Sequence, residues 1–113
     1  NKIKQIQKFK KEHVGFSFYE VHPELSFMAM NDMRVIVESK KTPEGQAMRM
    51  IMIESLFPSF NFDLVRQKFN KTDVADDDIL DAMAVLWSTQ RIVDKMAEFV
   101  PKKSSSFEPR IYY

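Results

Sequence analysis

The chain has 113 residues, 44% hydrophobic and 12% aromatic, which suits one domain with a real core. Lys and Arg number 17 against 16 Asp and Glu, so bulk charge cannot hold a polyanion and only a local patch is left for nucleic acid. The absence of Cys excludes disulfides and thiolate metal sites and fits a reducing, cytoplasmic compartment, and no run is long and apolar enough to span a membrane.

In chain order, residues 1–12 place Ile3, Ile6 and Phe9 at helical spacing among Lys2, Lys4, Lys8, Lys10 and Lys11. This predicts an amphipathic helix with its basic side in water. His13 falls in a polar loop and carries no signal. In "GFSFYEVHPE", Phe16 and Phe18 alternate with Ser17, and Tyr19 and Val21 fill the other face, which predicts an aromatic-rich strand stopped by Pro23. A short helix follows to about Asn31, then a short strand at "RVIV". Thr42 is a good N-cap and Pro43 suits the first helical position, so a helix should run from Pro43 to about Ser55. Met48, Ile51, Met52 and Leu56 are its expected inward residues. Residues 57–72 have weak periodicity and should cross the surface. A long helix is expected from about Asp77 to Phe99, ended by Pro101, then a "KKSSS" tether and a terminal strand at "PRIYY".

The stretch "DVADDDILDAMAVLW" (73–87) raises the functional question. At about 100° per residue, Asp77, Asp81, Ala84 and Ser88 fall on one narrow arc with Asp78 at its edge. Asp76 and Asp77 read naturally as capping acids that complement the helix dipole. Asp81 does not, because it lies beyond the first turn among apolar neighbours. A buried carboxylate costs several kcal/mol unless it is paired or protonated, on the order of the penalties known for buried ions. Its partner is a Lys or Arg, or a divalent metal shared with the acids one turn away.

At "DDDILDAMAVLW" the chain resembles the last helix of RuvC-type RNase H-like nucleases, in the pattern Asp78-Ile79-Leu80-Asp81-Ala82. More narrowly, it resembles the C-terminal part of the predicted RNase H-like nuclease family (domain of unknown function 429). Two further blocks carry the likeness: "YEVHPELSF", with Glu20, His22, Pro23 and Glu24, and "SKKTPEGQAMR", with Lys40, Lys41, Thr42, Gly45 and Arg49. The family's Gly-Val-Asp-like first strand and its Ile-Asp-x-Pro strand are absent.

The resemblance implies an α/β fold, with residues 1–113 forming a single partial domain: the C-terminal portion of an RNase H-like mixed sheet flanked by helices. It implies a metal-dependent nuclease in which Asp77, Asp78, Asp81 and Glu20 hold Mg²⁺ or Mn²⁺. Asp78, Asp81 and Glu20 are the catalytic acids of that reading, and Lys40, Lys41 and Arg49 contact phosphate. Glu20 and Asp81 should converge. A non-catalytic RNase H-like module that binds nucleic acid or protein is the alternative. Because two strands of the pattern are lacking, the sheet is expected to need a missing N-terminal half or a partner chain, and an unpaired apolar edge should favour self-association.

Overall fold

The computed structural model describes residues 1–12, 15–102 and 109–113. Its elements run α1 (Lys2–Glu12), β1 (Glu20–Val21), α2 (Pro23–Met30), α3 (Pro43–Leu56), α4 (Phe62–Arg66), α5 (Asp76–Val93), β2 (Phe99–Val100) and β3 (Ile111–Tyr112). The described residues thus form a mixed α/β arrangement. None of their helices is long and apolar enough to cross a membrane. His13 and most of the serine tether lie outside the described residues.

α5 is the hub, because α2, α3 and α4 all pack on it. The core is helical: Phe27 from α2, Ile53 from α3, Phe62 from α4, and Ile79, Leu80 and Ala84 from α5. Ile36 packs on it from the segment between α2 and α3. The sheet is small and has the order β1-β3-β2, with β1 parallel to β3 and β2 antiparallel to it. Aromatic contacts reinforce these short pairings. Tyr112 meets Tyr19 edge-on at 4.9 Å and Phe99 at 5.5 Å, distances at which rings attract beyond simple burial.

Local chemistry starts and stops the helices. Thr42 caps α3: its hydroxyl accepts from the Gly45 N–H at 3.1 Å and donates to the Ser39 carbonyl at 2.8 Å. Pro43 fills the first turn, where a missing N–H costs nothing. Asn61 caps α4 by accepting from the Leu64 N–H at 3.2 Å. α5 closes at Val93. There the Met96 N–H reaches the Arg91 carbonyl at 2.8 Å and the Lys95 N–H reaches the Ile92 carbonyl at 3.1 Å. Lys95 is left-handed at φ 58°, so the end is a Schellman motif.

Several expectations are corrected. The first strand is confined to Glu20–Val21 rather than reaching back to Phe16. "RVIV" forms no strand: Ile36 is drawn onto the helical core while Val37 stays 87% exposed. α5 stops before Phe99, since Phe99 and Val100 pair with Tyr112 and Ile111. Residues 57–72 do not merely cross the surface: they contain α4, whose Phe62 enters the core. Of the residues expected to point inward from α3, Met52 does pack on the core, but two do not. Ile51 is 66% exposed and Leu56 is also exposed, whereas Gly45, Arg49 and Ile53 are buried.

Candidate functional site

The arc expected on α5 exists, and it faces inward. Asp77, Ala84 and Ser88 are buried, and the Asp81 side chain is 20% exposed. At the far end of the arc, the Ser88 hydroxyl lies 2.7 Å from that of Ser26 on α2, and both residues are fully buried. The Ser26 hydroxyl also lies 3.3 Å from the His22 carbonyl, so it can donate there while accepting from Ser88, which keeps both groups bonded where no water reaches. At the near end, the two acids meet the lysines of the loop before α3. Lys40 Nζ lies 2.8 Å from Asp81 Oδ2 and 3.9 Å from Asp77 Oδ2. Lys41 Nζ lies 2.8 Å from the same Asp77 oxygen.

Three contacts fix that loop. Thr42 holds the Ser39 carbonyl through its backbone N–H and its hydroxyl. Arg49 Nη1 donates to the Glu38 carbonyl at 2.9 Å. Gly45 lets the loop lie against the first turn of α3, since a Cβ there would collide with the Ser39 carbonyl. The lysines are therefore carried to α5 by a braced backbone.

The charges are unevenly settled. Lys41 holds the Asp77 carboxyl below its ordinary value, against the opposing pull of burial. Burial pushes the Asp81 carboxyl up, more than the Lys40 hydrogen bond pulls it down, and Glu24 and Asp77 add to the rise. Lys40 itself is shifted up by its bond to Asp81. The two ends of that pair differ because Lys40 is 32% exposed and keeps more of its water. Asp81 Oδ1 is buried with no hydrogen-bond partner. A carboxylate oxygen in that position is an open acceptor for a cation or a donor.

Other expected site residues go elsewhere. Asp78 lies about 100° round the helix from Asp77, where its Oδ2 accepts from the Ala75 N–H at 2.8 Å. Asp78 is therefore the acid that ties down the helix start, a role expected of Asp76 or Asp77. Asp76 pairs with Arg66 at 2.7 Å. Glu20 bonds to the His22 ring at 2.9 Å on the exposed side of β1, and the acids whose charge acts on Asp81 are Glu24 and Asp77. The four expected metal ligands do not gather into one cluster. Among the described residues no three His, Cys, Asp or Glu side chains are placed to hold a metal ion.

Arg49 is likewise consumed. Its side chain is only 4% exposed, and Nη2 forks onto Glu24 at 2.8 and 3.2 Å. Nη1 also reaches the Gly45 carbonyl at 2.9 Å, and the guanidinium lies 5.6 Å from the Phe27 ring centre. Glu24, in the first turn of α2, is thus the partner of Arg49 and a neighbour of the acid pair. Its place in the "YEVHPE" block was the available signal. Beside these groups opens a cleft of about 510 Å³, with Leu25, Met28, Val35 and Ile36 on its apolar wall and Glu24 and Lys40 at its polar end.

Fold and site together define a mixed α/β protein with a recessed pair of acids on its longest described helix. Residues 1–106 match the family described as "Protein of unknown function (DUF429)", and the chain belongs to that family. No curated protein and no solved structure matches the chain.

Proposed function

We propose that the Asp77–Asp81 face of α5 is the acid centre of a metal-dependent phosphodiester hydrolase, a nuclease of RNase H-like type. One observation carries the reading. Two carboxylates one turn apart, both withdrawn from water, converge on the single ammonium of Lys40 and leave Asp81 Oδ1 unpartnered. The donor set suits Mg²⁺ or Mn²⁺ in a partly hydrated site, because Mg²⁺ is commonly held by one or two carboxylates with water and substrate phosphate completing the shell. When bound, such an ion polarises a phosphoryl oxygen and acidifies its water. Asp77 and Asp81 hold the charge of the site. Lys40 and Lys41 pair with these acids and are the cations of the site that would contact phosphate. Arg49 braces the lysine loop from behind.

The test is a melting-temperature titration with Mg²⁺ and Mn²⁺ on the wild type and on Asp81→Asn, beside a cleavage assay on labelled single- and double-stranded substrates. The expected result is metal stabilisation and cleavage in the wild type, both lost in Asp81→Asn with the fold intact. Equal metal stabilisation in the two proteins refutes the assignment. A second reading, a non-catalytic RNase H-like module that binds nucleic acid or protein, draws on the same ion pairs, because Lys40 and Lys41 already neutralise both acids. It predicts no metal stabilisation in either protein and no cleavage.

A further inference from the structure

α1 stands apart from the chemistry of α5. Every one of its residues is exposed, and it contributes nothing to the core. It is also where the chain keeps its positive charge. Lys2, Lys4, Lys8, Lys10 and Lys11 against Glu12 give residues 1–12 a side-chain charge of +4. The whole chain is +1, so the remaining residues sum to −3. The near-neutral total therefore hides a basic helix on an acidic body, the asymmetry that marks a polyanion-binding arm.

The helix arranges these lysines. At about 100° per residue, Lys4, Lys8 and Lys11 share a narrow face, one turn apart in succession. Ile3, Ile6 and Phe9 lie on the opposite side, where Phe9 meets Phe18 edge-on at 5.5 Å and Lys10 sits 5.8 Å from the same ring. The triple-lysine face thus points away from the aromatic contact. Lys8 on this face pairs with Glu12 at 3.9 Å, between two well-exposed side chains, and such pairs give way readily.

We infer that α1 is a nucleic-acid-binding arm, with Lys4, Lys8 and Lys11 contacting the phosphate backbone without regard to sequence. Nucleic acid is favoured over an anionic membrane by the layout of the opposite face. An interfacial helix keeps its lysines off the side that enters lipid. Here Lys2 and Lys10 fall within the arc of Ile3, Ile6 and Phe9, and Phe9 is already engaged with Phe18. The inference holds whether or not the acids of α5 cleave anything.

The test is fluorescence anisotropy of labelled single-stranded and duplex DNA with the full chain, without added divalent metal and over a range of KCl. The comparison is with Lys4→Gln/Lys8→Gln/Lys11→Gln, in which glutamine keeps the helix propensity. Wild-type binding should weaken steeply with salt. Replacing three phosphate contacts should lower the slope of log affinity against log salt by about 2 on single strands and nearer 3 on duplex. Affinity at low salt should fall at least about tenfold. A triple variant that binds like the wild type overturns the inference. So does a wild type that binds phosphatidylserine vesicles but neither DNA. Metal is left out of the assay, so failure of the acid centre leaves this result readable.

Discussion

Replacing Arg49 with Met tests whether the guanidinium is a brace or a ligand contact. Methionine keeps an unbranched apolar stem over Phe27 and deletes the fork. The losses are the two bonds to the Glu38 and Gly45 carbonyls, each 2.9 Å, the two Nη2 bonds to Glu24 and the longer Nε bond to it at 3.4 Å. Each carbonyl bond contributes about 1 kcal/mol net. Breaking a fully buried pair costs about 3–5 kcal/mol, but the Glu24 side chain is 47% exposed and rehydrates. Its share is therefore nearer the surface-pair scale of about 0.5–1 kcal/mol. The sum is roughly 2–3 kcal/mol, or a fall of about 8–12 °C in melting temperature at roughly 4 °C per kcal/mol for a domain of this size. Arg49→Lys keeps a charge but not the fork, and should fall between. Urea unfolding of the three proteins measures the order. An Arg49→Met protein within about 0.5 kcal/mol of the wild type, comparable to a neutral surface change, would refute the bracing role. Unchanged stability with lost affinity for phosphate or nucleic acid would return Arg49 to the ligand.

Ser26→Ala should cost about 1–3 kcal/mol by stranding the Ser88 hydroxyl, and Ser88→Ala less, because the Ser26 hydroxyl keeps the His22 carbonyl at 3.3 Å, while the double variant costs less than the sum of the two; a urea double-mutant cycle that shows strict additivity would deny the 2.7 Å bond. Gly45→Ala should destabilise by at least about 1–3 kcal/mol, because the added methyl meets the Ser39 backbone rather than a mobile side chain, and its melting temperature should drop well below that of Ala47→Ser on the same helix. The two aspartates should respond to pH with opposite sign. Asp77 is depressed below 3.8, so its stabilisation is present above that value and lost as pH falls through the folded-state pKa. Asp77→Asn should therefore flatten the acid limb of urea midpoints. Asp81 is raised above 3.8, so its contribution is present below that value and lost as pH rises through its folded-state pKa. Asp81→Asn should hold or gain stability at neutral pH, and a clear loss there would contradict the burial cost assigned to that carboxylate.

How far the sequence was readable follows from the range of each interaction. The start of α3 was legible because Thr42, Pro43 and Gly45 act on neighbours within a turn. The arc of Asp77, Asp81, Ala84 and Ser88 was legible because helical periodicity needs only spacing. The partners of those residues were not. Lys40 and Lys41 were singled out as cations near phosphate, yet nothing local says that they reach α5, some forty residues on. Ile51 and Leu56 satisfied the apolar pattern but lost the inward face to Arg49, whose burial depends on Glu24 from another helix. Glu20 and Glu24 occupy the same motif, and only the turn at Pro23 decides which one faces Arg49. Two-residue strands leave too little periodicity to register.

The middle strand of the sheet is the last one in the chain. β1 and β2 do not pair with each other; both pair with Ile111 and Tyr112. The β1–β3 pairing closes a span of roughly ninety positions, and it gains only two residue pairs on each side of β3. Such a closure is entropically affordable only after the helices have brought Val21 and Phe99 near one another. The sheet is therefore a late and cooperative assembly. Helix signals should recover before tyrosine packing in a refolding experiment. Clipping the chain just before Ile111 should erase both ladders at once while sparing the core around Phe27, Ile53 and Leu80.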